Sequence, residues 1–163
     1  MTIEVVHRAE LTVVGILVDG YWNDLPSIVP AAWRSLFSRV REIPIAEDPP
    51  RYVEVSFERS SNLFHEMVAV VAPPDSVAPH GMHRVTIPRN RYLHVSYNGP
   101  LVGIADQFQA IYDHASRTGI AATNVKLDFG YDPQFSPGGH ELFVGLADFD
   151  PPQIADGEQI VQL

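Results

Sequence analysis

The chain has no cysteine. Disulfides, thiolate nucleophiles, iron–sulfur clusters and cysteine zinc sites are excluded together. It is also short of positive charge: 11 Lys and Arg stand against 20 Asp and Glu in 163 residues, a formal net charge of -9. The basic residues are scattered, densest at Arg84, Arg89 and Arg91. The clustered positive surface that phosphate contact needs is missing, so no direct nucleic-acid binding is expected. No apolar stretch approaches the roughly 20 residues of a membrane span, and no membrane contact is expected. "MTIEVVHRAE" has no basic region followed by a long apolar run, so no signal peptide is read and a cytoplasmic location is expected. There is no G-x-S-x-G, phosphate loop or dinucleotide fingerprint. His80 and His83 of "PHGMH" fall in a loop and a strand start, away from His65-Glu66, so neither a metal nor a cofactor is expected.

What is present is ordinary globular material, 45% hydrophobic and 19% charged. "LTVVGILVDG" (11–20) is β-rich and ends at Asp19-Gly20. In the segment that follows, Val29, Trp33, Leu36, Phe37 and Val40 recur at helical spacing, with Asp24 or Ser27 to cap and Pro26 and Pro30 tolerable only near the first turn. "YVEVSFE" alternates and "LFHEMVAVV" is its partner, so 51–71 reads as a hairpin. "HRVTI", a proline break and "RYLHVSY" then lead through Asn98-Gly99-Pro100 into a second helix with the stripe Leu101, Ile104, Phe108, Ile111, Tyr112 and Ala115, closed by Gly119. "NVKLDFGY" and "HELFVGLADF" are two more strands.

Strand, helix and hairpin therefore occur twice. The fold expected is α+β: two βαββ (SH2-like) repeats, about 1–72 and 82–150, related by a pseudo-twofold axis within one domain, 1–150, followed by a flexible tail, 151–163. They join edge to edge into one antiparallel sheet with both helices on one face and a groove along the axis on the other.

Four motifs carry a resemblance: "IVPAAW" opening the first helix, "PHGMHRVTIPRNRY", "QAIYDHA" in the second helix, and "YDPQF" before the last strand. In this order and spacing, from about Val5 to Asp150, the chain resembles the GyrI-like small-molecule-binding domain, also found as the effector-binding domain of AraC- and MerR-type multidrug regulators. The resemblance implies an aromatic-lined groove for planar cationic or amphipathic compounds, with a buried Glu of the penultimate strand as countercharge. It also implies a rival activity, hydrolysis of cyclopropane-bearing natural products by groove carboxylates. Aligned on Tyr131-Asp132, the family's Glu position holds Phe129, and Asp128 lies one residue away, where alternation would send it to the opposite face.

Alternation within the strands gives candidate residues independently. If the apolar faces (Val53, Val55 and Phe57; Leu93 and Val95; Leu142, Val144 and Leu146) pack on the helices, the mixed faces line the groove. They present Tyr52, Glu54, Tyr92, His94, Glu141 and Phe143, with Asp128 joining them if Leu127 and Phe129 face the helices. Glu54, Glu66 and Glu141 are the carboxylate candidates, and Glu54 and Glu141 the catalytic ones if there is catalysis. Tyr21, Trp22 and Trp33 are the aromatic candidates of the first half, Phe108 and Tyr112 of the second, with Phe129 and Tyr131 added by the resemblance. An open solvated sheet face and cross-strand salt bridges are the plainer alternatives. The expected function is binding of a planar, amphipathic, cationic drug or toxin, to sequester or sense it. Hydrolysis in the same groove and acidic inhibition of a topoisomerase are the alternatives. A second copy, a separate regulator or a topoisomerase are the macromolecular partners left open.

Overall fold

The computed structural model describes residues 1–147 and 150–155. Nine strands and two helices follow one another as β1 (Glu4–Arg8), β2 (Leu11–Tyr21), α1 (Leu25–Arg39), β3 (Tyr52–Ser60), β4 (Leu63–Val71), β5 (His83–Ile87), β6 (Asn90–Tyr97), α2 (Ile104–Thr118), β7 (Ala122–Phe129), β8 (His140–Leu146) and β9 (Gln153–Ile154). All strands belong to one antiparallel sheet in the order β1-β6-β8-β7-β3-β4-β2-β5-β9. The units β2-α1-β3-β4 and β6-α2-β7-β8 contribute β3-β4-β2 and β6-β8-β7, which meet at the β3–β7 seam. The strand order therefore runs alike in both directions from that seam.

Chain connectivity forces this sheet to coil. β5 and β6 are six places apart in it, about 29 Å if the sheet were flat. Only Pro88 and Arg89 separate them, a span of about 10 Å. The two ends of the sheet must approach each other, and one apolar cluster accordingly joins Val85 and Ile87 of β5 to Tyr92 of β6 and Val6 of β1. That cluster fills the inside of the coil with Val53, Val55, Met67 and Leu127. At Gly15 in β2 a Cβ would stand 2.0 Å from the Val68 carbonyl oxygen, so only glycine lets these backbones come so close.

The helices lie on the outer face. Trp33 and Leu36 of α1 pack on Val14, Val18, Val68 and Val70 of β2 and β4. Ile111 and Ala115 of α2 pack on Leu93, Val95, Leu142 and Val144 of β6 and β8. Gly119, at φ +70, ends α2 in the left-handed conformation expected of it. The β3–β7 seam runs between the two helices.

Two expectations are corrected here, and one strand that the sequence reading did not include is added. Val53, Val55 and Phe57 face the coil interior rather than the helices, because both faces of this sheet are covered and an apolar face does not identify its cover. The N-terminal "EVVHR" is a strand, paired to β6. Within the supposed tail, Gln153 and Ile154 pair with β5; residues 156–163 lie outside the described residues.

Candidate functional site

Direct cross-strand partners share a face of a sheet, so the register fixes what the seam presents. Glu66 of β4 stands opposite Ser56 of β3, which stands opposite Lys126 of β7. In the next row Glu54 stands opposite Asp128. These five polar side chains form the floor of a cavity of about 390 Å3 between the helices. Leu25, Val29 and Pro30 of α1 make one wall, and Leu101, Ile104 and Phe108, in and just before α2, the other. Trp22 and Tyr131 stand at its margins. The cavity is thus on the helix face, at the pseudo-twofold seam, and not on the opposite face expected from the sequence.

Its carboxyls are deeply buried: Glu66 is 4% exposed and Asp128 2%. The indole Nε1 of Trp33 donates to Glu54 Oε1 at 2.9 Å. Glu54 and Glu66 are buried neighbours that interact directly, so negative charge on one favours a proton on the other. Burial lifts both above the usual carboxylate range. Glu66 is lifted furthest, since the neighbouring Glu54 adds to the effect while the Ser56 hydroxyl opposes it. Asp128 is raised by burial as well, against hydrogen bonds from His140, whose Nδ1 lies 2.6 Å from Asp128 Oδ1, and from Tyr131. Tyr131 stacks on Trp33 at 4.5 Å and meets His140 edge-on at 4.8 Å. Burial raises the Tyr131 hydroxyl strongly, so it remains a donor. Glu66 Oε2 and Asp128 Oδ2 are buried without a hydrogen-bond partner. The site therefore offers negative or acceptor groups, under aromatic cover, to something that enters it.

A family model for the GyrI-like small molecule binding domain matches residues 1–132. The chain belongs to that family. Transcriptional regulator BrlR of Pseudomonas aeruginosa is 26% identical over 135 residues, covering 82% of this chain and 49% of that regulator; the chain spans about half the length of the relative it matches. Among solved structures, SAV2435 bound to tetraphenylphosphonium superposes with a TM-score of 0.70 at 10% identity, covering 91% of this chain and 95% of that one. The EcmrR C-terminal domain does so at 0.60 and 12%, covering 93% and 97%. At such identities the likeness concerns the fold.

Within this GyrI-like frame, Trp22, Glu54, Glu66, Phe108, Asp128 and Tyr131 come together on the cavity. Trp33 and Tyr52 stand behind it, packed on each other and on Phe37 under α1. Tyr112 is tied to the Thr123 carbonyl at 2.6 Å, and Tyr21 is exposed at the end of β2. The remaining candidates are on the wrong face. Phe129 is opposite Glu141, and Phe143 opposite His94, so these residues and Tyr92 point into or along the coil interior. There Glu141 pairs with His94 and accepts from Ser96 Oγ, while Tyr92 and Phe129 each meet Phe143 edge-on at 5.8 Å. Asp128, not residue 129, is the acid of the penultimate strand that faces the cavity. Lys126, Ser56 and His140 were missed. Lys126 was within reach of alternation, since it lies two residues before Asp128 on one strand. Among the described residues no group of three or more His, Asp or Glu is arranged to hold a metal ion, and no helix is long and apolar enough to cross a membrane.

Proposed function

We propose that the chain binds a planar, amphipathic organic cation in the cavity between α1 and α2, as a sequestering protein or as the sensing part of a regulator. The observation that carries this reading is the convergence of Glu54, Glu66 and Asp128, two of them with an unpartnered buried oxygen, beneath Trp22, Phe108 and Tyr131. Each cation–π contact contributes about 0.5–2 kcal/mol, and desolvation of a flat hydrocarbon adds to it. Micromolar affinity needs only about 8 kcal/mol. Tetraphenylphosphonium, the ligand of the similarly folded SAV2435, is a suitable probe. Calorimetric titration is expected to give saturable binding that weakens at least tenfold in Glu54→Gln and in Glu66→Gln. Unchanged affinity in both would remove these residues as countercharges.

One observation favours a second reading. A carboxyl buried beside an apolar wall with its proton affinity raised, as Glu66 is, is equipped to act as a general acid toward a strained electrophilic ring. Incubation with a cyclopropane-bearing alkylator separates the two by mass spectrometry. Intact ligand at one equivalent supports binding, and hydrated product beyond one equivalent supports hydrolysis.

A further inference from the structure

Lys126 is the chain's only lysine; every other residue counted with it as Lys or Arg is arginine. An acidic protein that uses arginine everywhere else has put its single flexible ammonium on the floor of the cavity. There its Nζ lies 5.4 Å from the ring centroid of Phe64, 5.8 Å from Tyr112 and 5.9 Å from Trp22. Trp22 and Phe64 are themselves in contact, 5.7 Å apart and tilted by 54°, so they form a corner. The third ring, from α2, closes the other side. Three rings at this distance, with carboxyls behind them, are what recognises an onium group.

The carboxyls acting on the ammonium are Glu66, Glu54 and Glu58, in decreasing order. Glu66 sits one strand beyond Ser56, in the same cross-strand row as Lys126. Glu58 is turned outward, bonded to Asn124 and to the Asn62 amide. Burial disfavours the lysine's charge and outweighs these acids, which act in the opposite direction. Trp22, half exposed, leaves the cage open on the solvent side.

We propose that Trp22, Phe64 and Tyr112 form a cation subsite over Glu66, and that the Lys126 ammonium is its tethered occupant, which an organic cation must displace. This rests on the cation-binding reading above and specifies it. An entering monocation replaces a monocation, so the charge of the cavity is unchanged and Lys126 swings outward toward Glu58. A tether keeps the ammonium at an effective concentration in the millimolar range, so small, well-hydrated amines compete poorly. Bulky, weakly hydrated onium compounds, which gain from all three rings, compete well. Lys126 thereby sets the ligand class.

With a single lysine, protein labelled with [ε-13C]lysine gives one side-chain signal. In the free protein its Hε protons are expected well upfield of an exposed lysine, shifted by the three rings. Saturating tetraphenylphosphonium is expected to move them to the exposed position. Calorimetry is expected to show Lys126→Met binding the probe at least tenfold tighter than the unaltered chain, and Lys126→Arg no tighter. An Hε signal at the exposed position before ligand is added overturns the proposal whatever the affinities are. So does an Hε signal that stays upfield in the complex, or a Lys126→Met variant that binds no tighter. If neither form binds the probe while the free signal is upfield, the cage exists but displacement by an organic cation is overturned together with the cation-binding reading. A wrong subsite alone instead leaves probe binding intact.

Discussion

Two acidic groups from the two halves of the chain meet in one cavity, and they are balanced in different ways. The first half brings Glu54 and Glu66, two buried carboxyls whose proximity raises their hold on a proton. The second half brings Asp128, which is hydrogen-bonded to the fully buried His140 and to Tyr131. The repeats copy backbone topology, but not charge. One side of the seam is an Asp–His–Tyr group tied together by its own hydrogen bonds, with Asp128 Oδ2 and His140 Nε2 left over. The other is a pair of buried carboxyls of raised proton affinity, whose charge follows pH, with Lys126 beside it. Topological symmetry thus places the groups, and local pairing decides which of them can respond.

The comparison is broken most severely by cutting the balanced side. Asp128→Leu leaves His140, 0% exposed, without its Nδ1 acceptor in the middle of the sheet. Loss of one member of a buried pair typically costs about 3–5 kcal/mol, and a loss near 3 is expected in urea denaturation. A loss below 1 kcal/mol would show that Asp128 and His140 are not energetically coupled.

The proton-holding side should respond in the opposite direction. In Glu66→Gln the amide can donate to Glu54 permanently, so a gain of about 1 kcal/mol is expected at pH 8. The same pair sets the pH dependence. Its folded-state values are raised, so its contribution is fully present below the ordinary carboxylate range and is lost as pH rises through those raised values. Asp128 acts in the same sense, while the lowered value of Lys126 acts oppositely and only at the alkaline end. The Tm is expected to be about 3 °C higher at pH 5.5 than at pH 8. Most of that difference should vanish in Glu66→Gln; a slope that survives the substitution unchanged would assign it elsewhere.

Much of this was legible from residue order. Period-2 alternation, two helical stripes and the turn residues were enough for the β-α-β-β repeat, and Gly119 announced its own left-handed cap. Which face of each strand meets which layer was not legible. "YVEVSFE" separates Val53, Val55 and Phe57 from Tyr52, Glu54 and Ser56 correctly, yet in a coiled sheet with cover on both sides the apolar set goes inward as readily as outward. That choice is made by the short link through Pro88 and Arg89, a long-range constraint with no local pattern. The same cause puts Tyr92, Glu141 and Phe143 on the face away from the cavity, while Asp128, also a candidate from the sequence, faces it. The strand at Glu4–Arg8 was missed because it is an edge strand with Val5 exposed, and its alternation carries little contrast.

The smallest effect is the most discriminating about how the proton-holding pair is tuned. Ser56, 5% exposed, hydrogen-bonds Glu66 and favours its ionised form. Removing that hydroxyl in Ser56→Ala should lift the Glu66 proton affinity further. At pH 5 the loss should be smaller, because the raised proton affinity of Glu66 favours its neutral form as pH falls. At pH 8 the loss should approach about 1.5 kcal/mol, the low end of the range for one hydrogen bond to a charged group. If Ser56 is only packing, the loss is the same at both pH values. Denaturation curves at pH 5 and pH 8 for the two proteins decide it. A pH-dependent difference ties the serine to the charge state of Glu66, the carboxyl that acts most strongly on Lys126.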